Sequence, residues 1–247
     1  MGSVARVSRA FEMGLREYAR TPVLLALLLF LPVYFVGIFV YVLPASEMAI
    51  TVPGDGQRVV ATADLYGVLL IPLLAGLIGG IAGLFLMQAA RDADGRLVLA
   101  GYHPAQVIAA RIGLLVVASV VATAVGLAVL AVGYVPQSLA VFVAASVLAG
   151  LTYGLVGVLV GLVLGRLAGV YTMLFVPIFD VFFLQNPTVD DQLWLATYLP
   201  GHAVTELAVD AGFSGSVALD PFAQALAALA VVGTFATAAF YRTTRVR

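Results

Sequence analysis

The chain has 247 residues, 63% of them hydrophobic and only 10% charged, with a net charge of −1 and a mean hydropathy of +1.11. A soluble domain of that length cannot hide so much apolar surface, so lipid must solvate part of it. The absence of cysteine excludes disulfides, thiol catalysis and thiolate metal sites, and the near-neutral charge gives no reason to expect a nucleic-acid partner.

A helix needs about 20 apolar residues to cross the hydrocarbon core. The chain therefore has room for six or seven spans with short loops and little else. The expected fold is all-α and integral to the membrane, a single transmembrane domain over residues 1–247.

Residues 3–20 read as an amphipathic helix. Val4, Val7, Phe11, Leu15 and Tyr18 recur at i+3/i+4 spacing, while Arg6, Arg9, Arg16 and Arg20 lie off that stripe. Such a helix lies flat in the interface; the alternative is a disordered basic leader. A cleavable signal is not expected, because the span that follows is too long for one.

Span 1 covers 22–43, and a polar loop over 44–64 carries the turn signal Pro53-Gly54-Asp55-Gly56. Span 2 covers about 65–90, followed by a polar, basic stretch to Arg111. No charge interrupts 112–165, and the stretch from Gly133 to Ser138 divides it into spans at about 108–132 and 139–165. Span 5, about 168–185, contains Pro177, which should loosen the helix by removing a backbone hydrogen bond. A mixed stretch, 186–218, precedes span 6 at about 219–241.

All twelve basic residues are arginines. Arginine marks cytoplasmic loops, and with six spans eleven of the twelve fall on one side: Arg6, Arg9, Arg16, Arg20, Arg91, Arg96, Arg111, Arg166, Arg242, Arg245 and Arg247. Both termini are therefore expected in the cytoplasm. The other side receives most of the acids, Asp64, Glu206 and Asp210 among them, and Arg58, for which the sequence suggests no role.

Span 4 carries Gly150, Gly154, Gly157, Gly161 and Gly165 at i+3/i+4 spacing, and span 2 carries Gly76, Gly79, Gly80 and Gly83. Small residues let helix backbones approach closely in lipid, so these faces are expected to pack; gating is the other reading. In span 5, Tyr171, Phe175, Phe179 and Phe182 form a stripe that faces lipid or a neighbouring helix, or else walls a pathway for an apolar substrate. Asp180 sits near the outer end of that span, where it either serves function or simply reaches water or bonds a neighbour.

The chemistry of known enzymes is hard to assemble from these residues. Without lysine there is no P-loop. His103 and His202 fall on opposite sides and cannot share a metal. Gly212-Phe213-Ser214-Gly215 matches the GxSG of rhomboid-type proteases, which need a later histidine to activate the serine, and none follows. Asp92-Ala93-Asp94-Gly95 matches the start of the phosphatidyltransferase aspartate motif, but 96–111 hold no further aspartate for a metal. No catalytic or metal-binding residue is expected, and no enzyme activity.

The layout resembles the membrane subunit of ABC-2-type transporters. Three segments carry the resemblance. Ala10–Tyr18 is like that family's connecting helix. The loop from Arg91 to Gln106 looks like the stretch in which an acidic residue and a turn lead into a short helix, here with Asp92 or Asp94 as the acid and Arg96 in place of threonine. The segment 186–218, with Tyr198-Leu199-Pro200, is similar to half-helices that dip into the outer leaflet.

The resemblance implies a permease without a cofactor of its own. A separate ATPase subunit would bind ATP and Mg. Arg96–Gln106 would be a coupling helix in the ATPase cleft, with Asp92, Asp94, Arg96, Leu99, Gly101, Tyr102 and Pro104 in the contact. A second permease copy or paralogue would complete the pathway, with Tyr171, Phe175, Phe179, Asp180 and Phe182 as candidate lining. The expected setting is a prokaryotic plasma membrane, and the expected cargo hydrophobic or amphipathic and exported. A secondary carrier or channel is the main alternative, ahead of a membrane enzyme or an assembly protein.

Overall fold

The computed structural model describes residues 3–20, 22–43, 46–52, 56–99, 104–189, 193–215 and 219–245. Among them six helices are long and apolar enough to cross a bilayer, and the chain is a predominantly helical, membrane-embedded protein. In order, the α-helices are α1 (Ser3–Ala19), α2 (Pro22–Val42), α3 (Thr62–Leu99), α4 (Pro104–Leu130), α5 (Leu139–Val163), α6 (Arg166–Pro177), α7 (Gly201–Phe213) and α8 (Leu219–Arg245). The six crossings run through α2, α3, α4, α5, α6 with its continuation, and α8.

Helix α3 is the axis of the bundle. It packs against α2, α4, α5, α6 and α7, and residues 67 to 84 are all buried. The closest neighbour is α5, which runs parallel to it. A Cβ at Gly79 would run into the Gly150 carbonyl, one at Gly83 into the Gly154 carbonyl, and one at Gly157 into the Gly80 carbonyl. The two glycine faces therefore meet backbone to backbone. This is the approach that lets dispersion hold helices together in a solvent as apolar as they are. Gly161 continues the contact: a Cβ there would lie 3.0 Å from the Met87 Cβ and 3.1 Å from the Leu84 carbonyl. Gly165 does not: nothing lies within 4 Å of its Cβ direction. It precedes α6 in extended conformation, at φ −66° and ψ 167°, because α5 has already ended at Val163.

At the N-terminus, Phe11 meets Gly113, Gly14 is backed by Leu114, and the Tyr18 hydroxyl donates to the Ala82 carbonyl at 3.2 Å. The inward stripe thus uses Gly14 where the apolar spacing suggests Leu15, which is exposed. A bare glycine permits the close crossing of α4, and leucine does not.

The 44–64 stretch, expected to be a polar loop, holds a β-hairpin. Strands β1 (Glu47–Val52) and β2 (Gly56–Ala61) pair antiparallel from Glu47↔Ala61 to Val52↔Gly56. Gly56 takes φ +80° to close it, a conformation that glycine adopts without steric cost. Ile50 and Val52 point into the core, and the backbone N–H and hydroxyl of Thr62 both donate to the Ser46 carbonyl at 2.8 Å. That clasp seats the hairpin on the start of α3.

Span 5 is not one helix. After Pro177 the α-helix becomes a π-helical stretch, Ile178–Leu184, whose wider turn is completed by the Gln185 N–H donating to the Asp180 carbonyl at 3.0 Å. A proline N–H is missing from the ladder there, and a widened turn is one way the backbone accommodates the gap. A short 3-10 turn, Trp194–Tyr198, follows, then α7. Apart from His202 and Glu206, every residue of α7 is buried. This helix is enclosed by α3, α5 and α8.

The glycine contact gives a direct expectation. Gly83→Ala should lower unfolding stability in detergent by about 2 kcal/mol, the cost of overpacking a close contact, while Gly165→Ala should leave the melting temperature unchanged.

Candidate functional site at Asp180

The break in span 5 puts a carboxylate where the membrane interior would otherwise be apolar. Asp180 is 4% exposed. Its Oδ2 accepts from the Tyr153 hydroxyl at 2.5 Å and from the Gly201 backbone N–H at 2.9 Å, and its Oδ1 accepts from Gln185 Nε2 at 3.2 Å. Gln185 Nε2 also donates to the Ala196 carbonyl at 2.8 Å. With the amide nitrogen committed to two acceptors, the amide oxygen faces His202. His202 Nδ1 therefore donates to Gln185 Oε1, 2.9 Å away. The other ring nitrogen lies 3.7 Å from Glu206 Oε2.

Every donor comes from a different part of the fold. Tyr153 is held in α5 by the space that Gly76 of α3 leaves open, its ring 2.6 Å from where a Cβ would sit. Gly201 opens α7, and its N–H belongs to the first turn, which has no carbonyl of its own to bond. A Cβ there would lie 2.7 Å from the Asp180 carboxyl carbon and 2.7 Å from the Tyr153 oxygen, so the site requires glycine.

Asp180 lies close to the end of the fifth apolar window at Leu184, as expected, and there it is enclosed by protein and bonded to neighbouring elements rather than open to water.

The far end of α7 is also satisfied by protein. The Gly212 carbonyl accepts from the Tyr134 hydroxyl at 2.6 Å and from the Gln137 N–H at 3.1 Å, and the Ala211 carbonyl accepts from the Ser138 N–H at 2.8 Å. Arg58, without a role from sequence, donates to the Phe213 carbonyl, where a cation also suits the negative end of the helix. Burial, and then the nearby Asp64 carboxylate, push the Tyr134 hydroxyl up to about 12, with the Arg58 guanidinium opposing. Tyr134 therefore stays protonated and donating at neutral pH. Asp210, expected among the outer-side acids, is instead fully buried in α7.

The aromatic stripe is displaced by one position at its end. Tyr171, Phe175, Phe179 and Phe183 are exposed along the surface of span 5. Phe182 turns inward, stacked on Tyr66 at 5.7 Å between ring centroids and edge-on to Phe39 at 6.5 Å. The wider π turn explains the shift, because it takes an additional residue to return to the same face. Ring contacts link Phe175, Phe179, Phe183 and Phe182 in series, so the exposed row is tied to Phe39 of α2.

The candidate contact loop is placed only in part. Asp92, Asp94, Arg96 and Leu99 belong to the last turns of α3, and Pro104 begins α4; the side chains of all five, and the whole of Gly101, Tyr102 and His103, lie outside the described residues. Of the expected coupling segment Arg96–Gln106, the residues to Leu99 continue α3 and those from Pro104 open α4. Ser214 is buried just past the end of α7 and His202 is in its first turn, roughly 18 Å along the axis, so His202 does not stand beside the serine of the GxSG match. Among the described residues no three metal-ligating side chains of the His, Cys, Asp and Glu types converge. Compared with known proteins, the chain matches no family model and no curated sequence.

Two substitutions separate the cluster from bulk packing. Tyr153→Phe, which removes only a hydroxyl, should cost about 1.5–3 kcal/mol of unfolding stability as a bond to a charged group, read by thermal melting in micelles. Arg58→Ala should leave global melting nearly unchanged but speed amide hydrogen exchange in the last turn of α7.

Proposed function

We propose that this chain is the membrane-spanning subunit of an ATP-driven exporter of the ABC-2 type, powered by a separate ATPase and completed by a second copy or a paralogue. The observation that carries the reading is the length of α3. Its apolar window ends at Gln88, yet the helix continues to Leu99, about 16 Å further. That continuation holds Arg91, Asp92, Asp94 and Arg96 on a rod continuous with the most buried helix of the bundle. A push on its tip has a stiff route to the α3–α5 contact and, through Tyr153, to the Asp180 cluster. The arginine asymmetry supports a reading in which this tip and both chain ends face the cytoplasm of a prokaryotic cell, with α1 at the interface and α7 as a half-helix from the outer side. The contact with the ATPase is the end of α3 and the turn into α4, not a free-standing coupling helix. The exposed row Tyr171, Phe175, Phe179 and Phe183 suits an apolar or amphipathic cargo at the seam between two copies.

A second reading has its own observation in favour. A buried carboxylate within a span, beside a broken helix and the start of a short buried helix, is a feature of ion-coupled carriers.

The two readings part in one experiment. Purified under mild conditions, the chain should bring down an ATPase subunit, and Leu99→Arg or Gly101→Arg should abolish that association while leaving the melting temperature intact. Proteoliposomes containing the chain alone should show no transport driven by an ion gradient. Gradient-driven uptake that requires Asp180 would overturn the exporter reading and establish a carrier.

A further inference from the structure

We propose that the exposed face of the short turn Trp194–Tyr198 docks on lipid, seated at the boundary between headgroups and hydrocarbon at the Leu184 end of span 5, and that this seating braces the Asp180 cluster. Leu193, Trp194, Leu195 and Tyr198 are all exposed, Trp194 at 71% and Tyr198 at 81%. Ala196 alone of the turn is buried. Four large apolar side chains in and beside one short turn make a patch that calls for a partner.

Three features identify the occupant. The first is depth. Gln185 stands one residue beyond the end of the fifth apolar window at Leu184, and its Nε2 donates to the Ala196 carbonyl at 2.8 Å. The turn is thereby held at the level where span 5 leaves the hydrocarbon. The second is side-chain chemistry. No charged residue occurs from Leu193 to Gly201. Tryptophan and tyrosine join an apolar ring to a polar tip, which suits the wet edge of a bilayer, and here the two rings meet edge-on at 6.4 Å between centroids. The third is the backbone, which near hydrocarbon must satisfy its own polar groups. The Ala196 N–H donates to the Leu193 carbonyl at 2.8 Å, the Leu199 N–H to the Ala196 carbonyl at 3.1 Å, and the Thr197 hydroxyl to the Trp194 carbonyl at 2.8 Å. Helix α7, by contrast, is enclosed by protein, so the lipid contact belongs to the turn and not to the helix after it.

Gln185 carries the seating inward. The nitrogen that holds the Ala196 carbonyl also donates to Asp180 Oδ1, and the amide oxygen accepts from His202. A turn drawn out of the boundary takes the Ala196 carbonyl with it, and the Gln185 amide loses the partner that orients it beside Asp180.

Membrane embedding is the only premise; neither the cargo nor the orientation of the chain enters. Trp194 is the one tryptophan in the chain, so its emission reports on the turn without a label. In phosphatidylcholine vesicles carrying the full chain, bromine placed high on the acyl chains should quench that emission more than bromine placed near their ends. Iodide in the water should quench it weakly. Leu195→Asp, which puts a charge at the boundary, should shift the emission to longer wavelength, increase quenching by iodide and speed hydrogen exchange at the Gly201 amide. Leu195→Met should change none of these. A melting curve for each variant, taken first, confirms that it is folded. Wild-type emission quenched by iodide but not by bromolipid would put the turn in water, and quenching by neither would mean that protein covers it, as in an assembly of two copies. Each result would overturn the proposal, and neither needs a variant. Shifted emission in Leu195→Asp with unchanged exchange at Gly201 would overturn the bracing of the Asp180 cluster.

Discussion

The rest of the structure depends on the contact between the glycine faces of α3 and α5. Lipid tails are as apolar as leucine, so burial against lipid gives no reason for two helices to meet. What draws these two together is that their backbones can touch, at Gly79 with Gly150 and at Gly83 with Gly154. Once they do, the Tyr153 ring has one place to go, over Gly76, and its hydroxyl arrives beside the break in span 5. Replacing the small residues would separate the helices and also remove the donor that Asp180 depends on.

The polar cluster then solves a problem created by the fold itself. Helix α7 begins and ends inside protein, where its terminal backbone groups have no water to bond. The Asp180 carboxylate takes the Gly201 N–H at one end, and Tyr134, Gln137, Ser138 and Arg58 take carbonyls at the other. A carboxylate buried within a span is costly to desolvate, and three donors offset part of that cost. Asp180 and Arg58 look unrelated in sequence, yet they act at opposite ends of the same short helix. The hairpin carries Arg58, so the outer surface and the membrane interior are mechanically joined through α7.

Most of the crossings could be read from the sequence because a bilayer imposes a length and a polarity that residues cannot disguise. The glycine faces of spans 2 and 4 were legible for a similar reason, since small residues at i+3/i+4 spacing have few other uses. What escaped depends on information that local spacing does not contain. The strands of the hairpin are only six residues each, too short for their alternation to stand out beside the Pro-Gly turn signal between them. Pro177 announces a disturbance in span 5 but not that the backbone widens into a π turn, which gives Phe183 the exposed place expected for Phe182. Counting along span 5 places Asp180 but not its neighbours, because α7 packs back against α3 and α5. Neither the partners of Tyr153 nor the role of Arg58 is legible without that return.

The π turn also fixes a rotational phase. Each residue of an ordinary helix advances the chain by about 100°, so the extra residue in the turn between Ile178 and Leu184 sets the azimuth of everything after it relative to α6. With that residue the Gln185 side chain swings toward the bundle axis and the Phe183 ring toward lipid; without it the two halves of the span would be misaligned by slightly more than a quadrant. The span is therefore indexed like a two-part key, with one half cut to fit lipid and the other cut to fit α7. Its residue count is constrained more tightly than its composition, and a single insertion or deletion there is a larger change than most substitutions on either side.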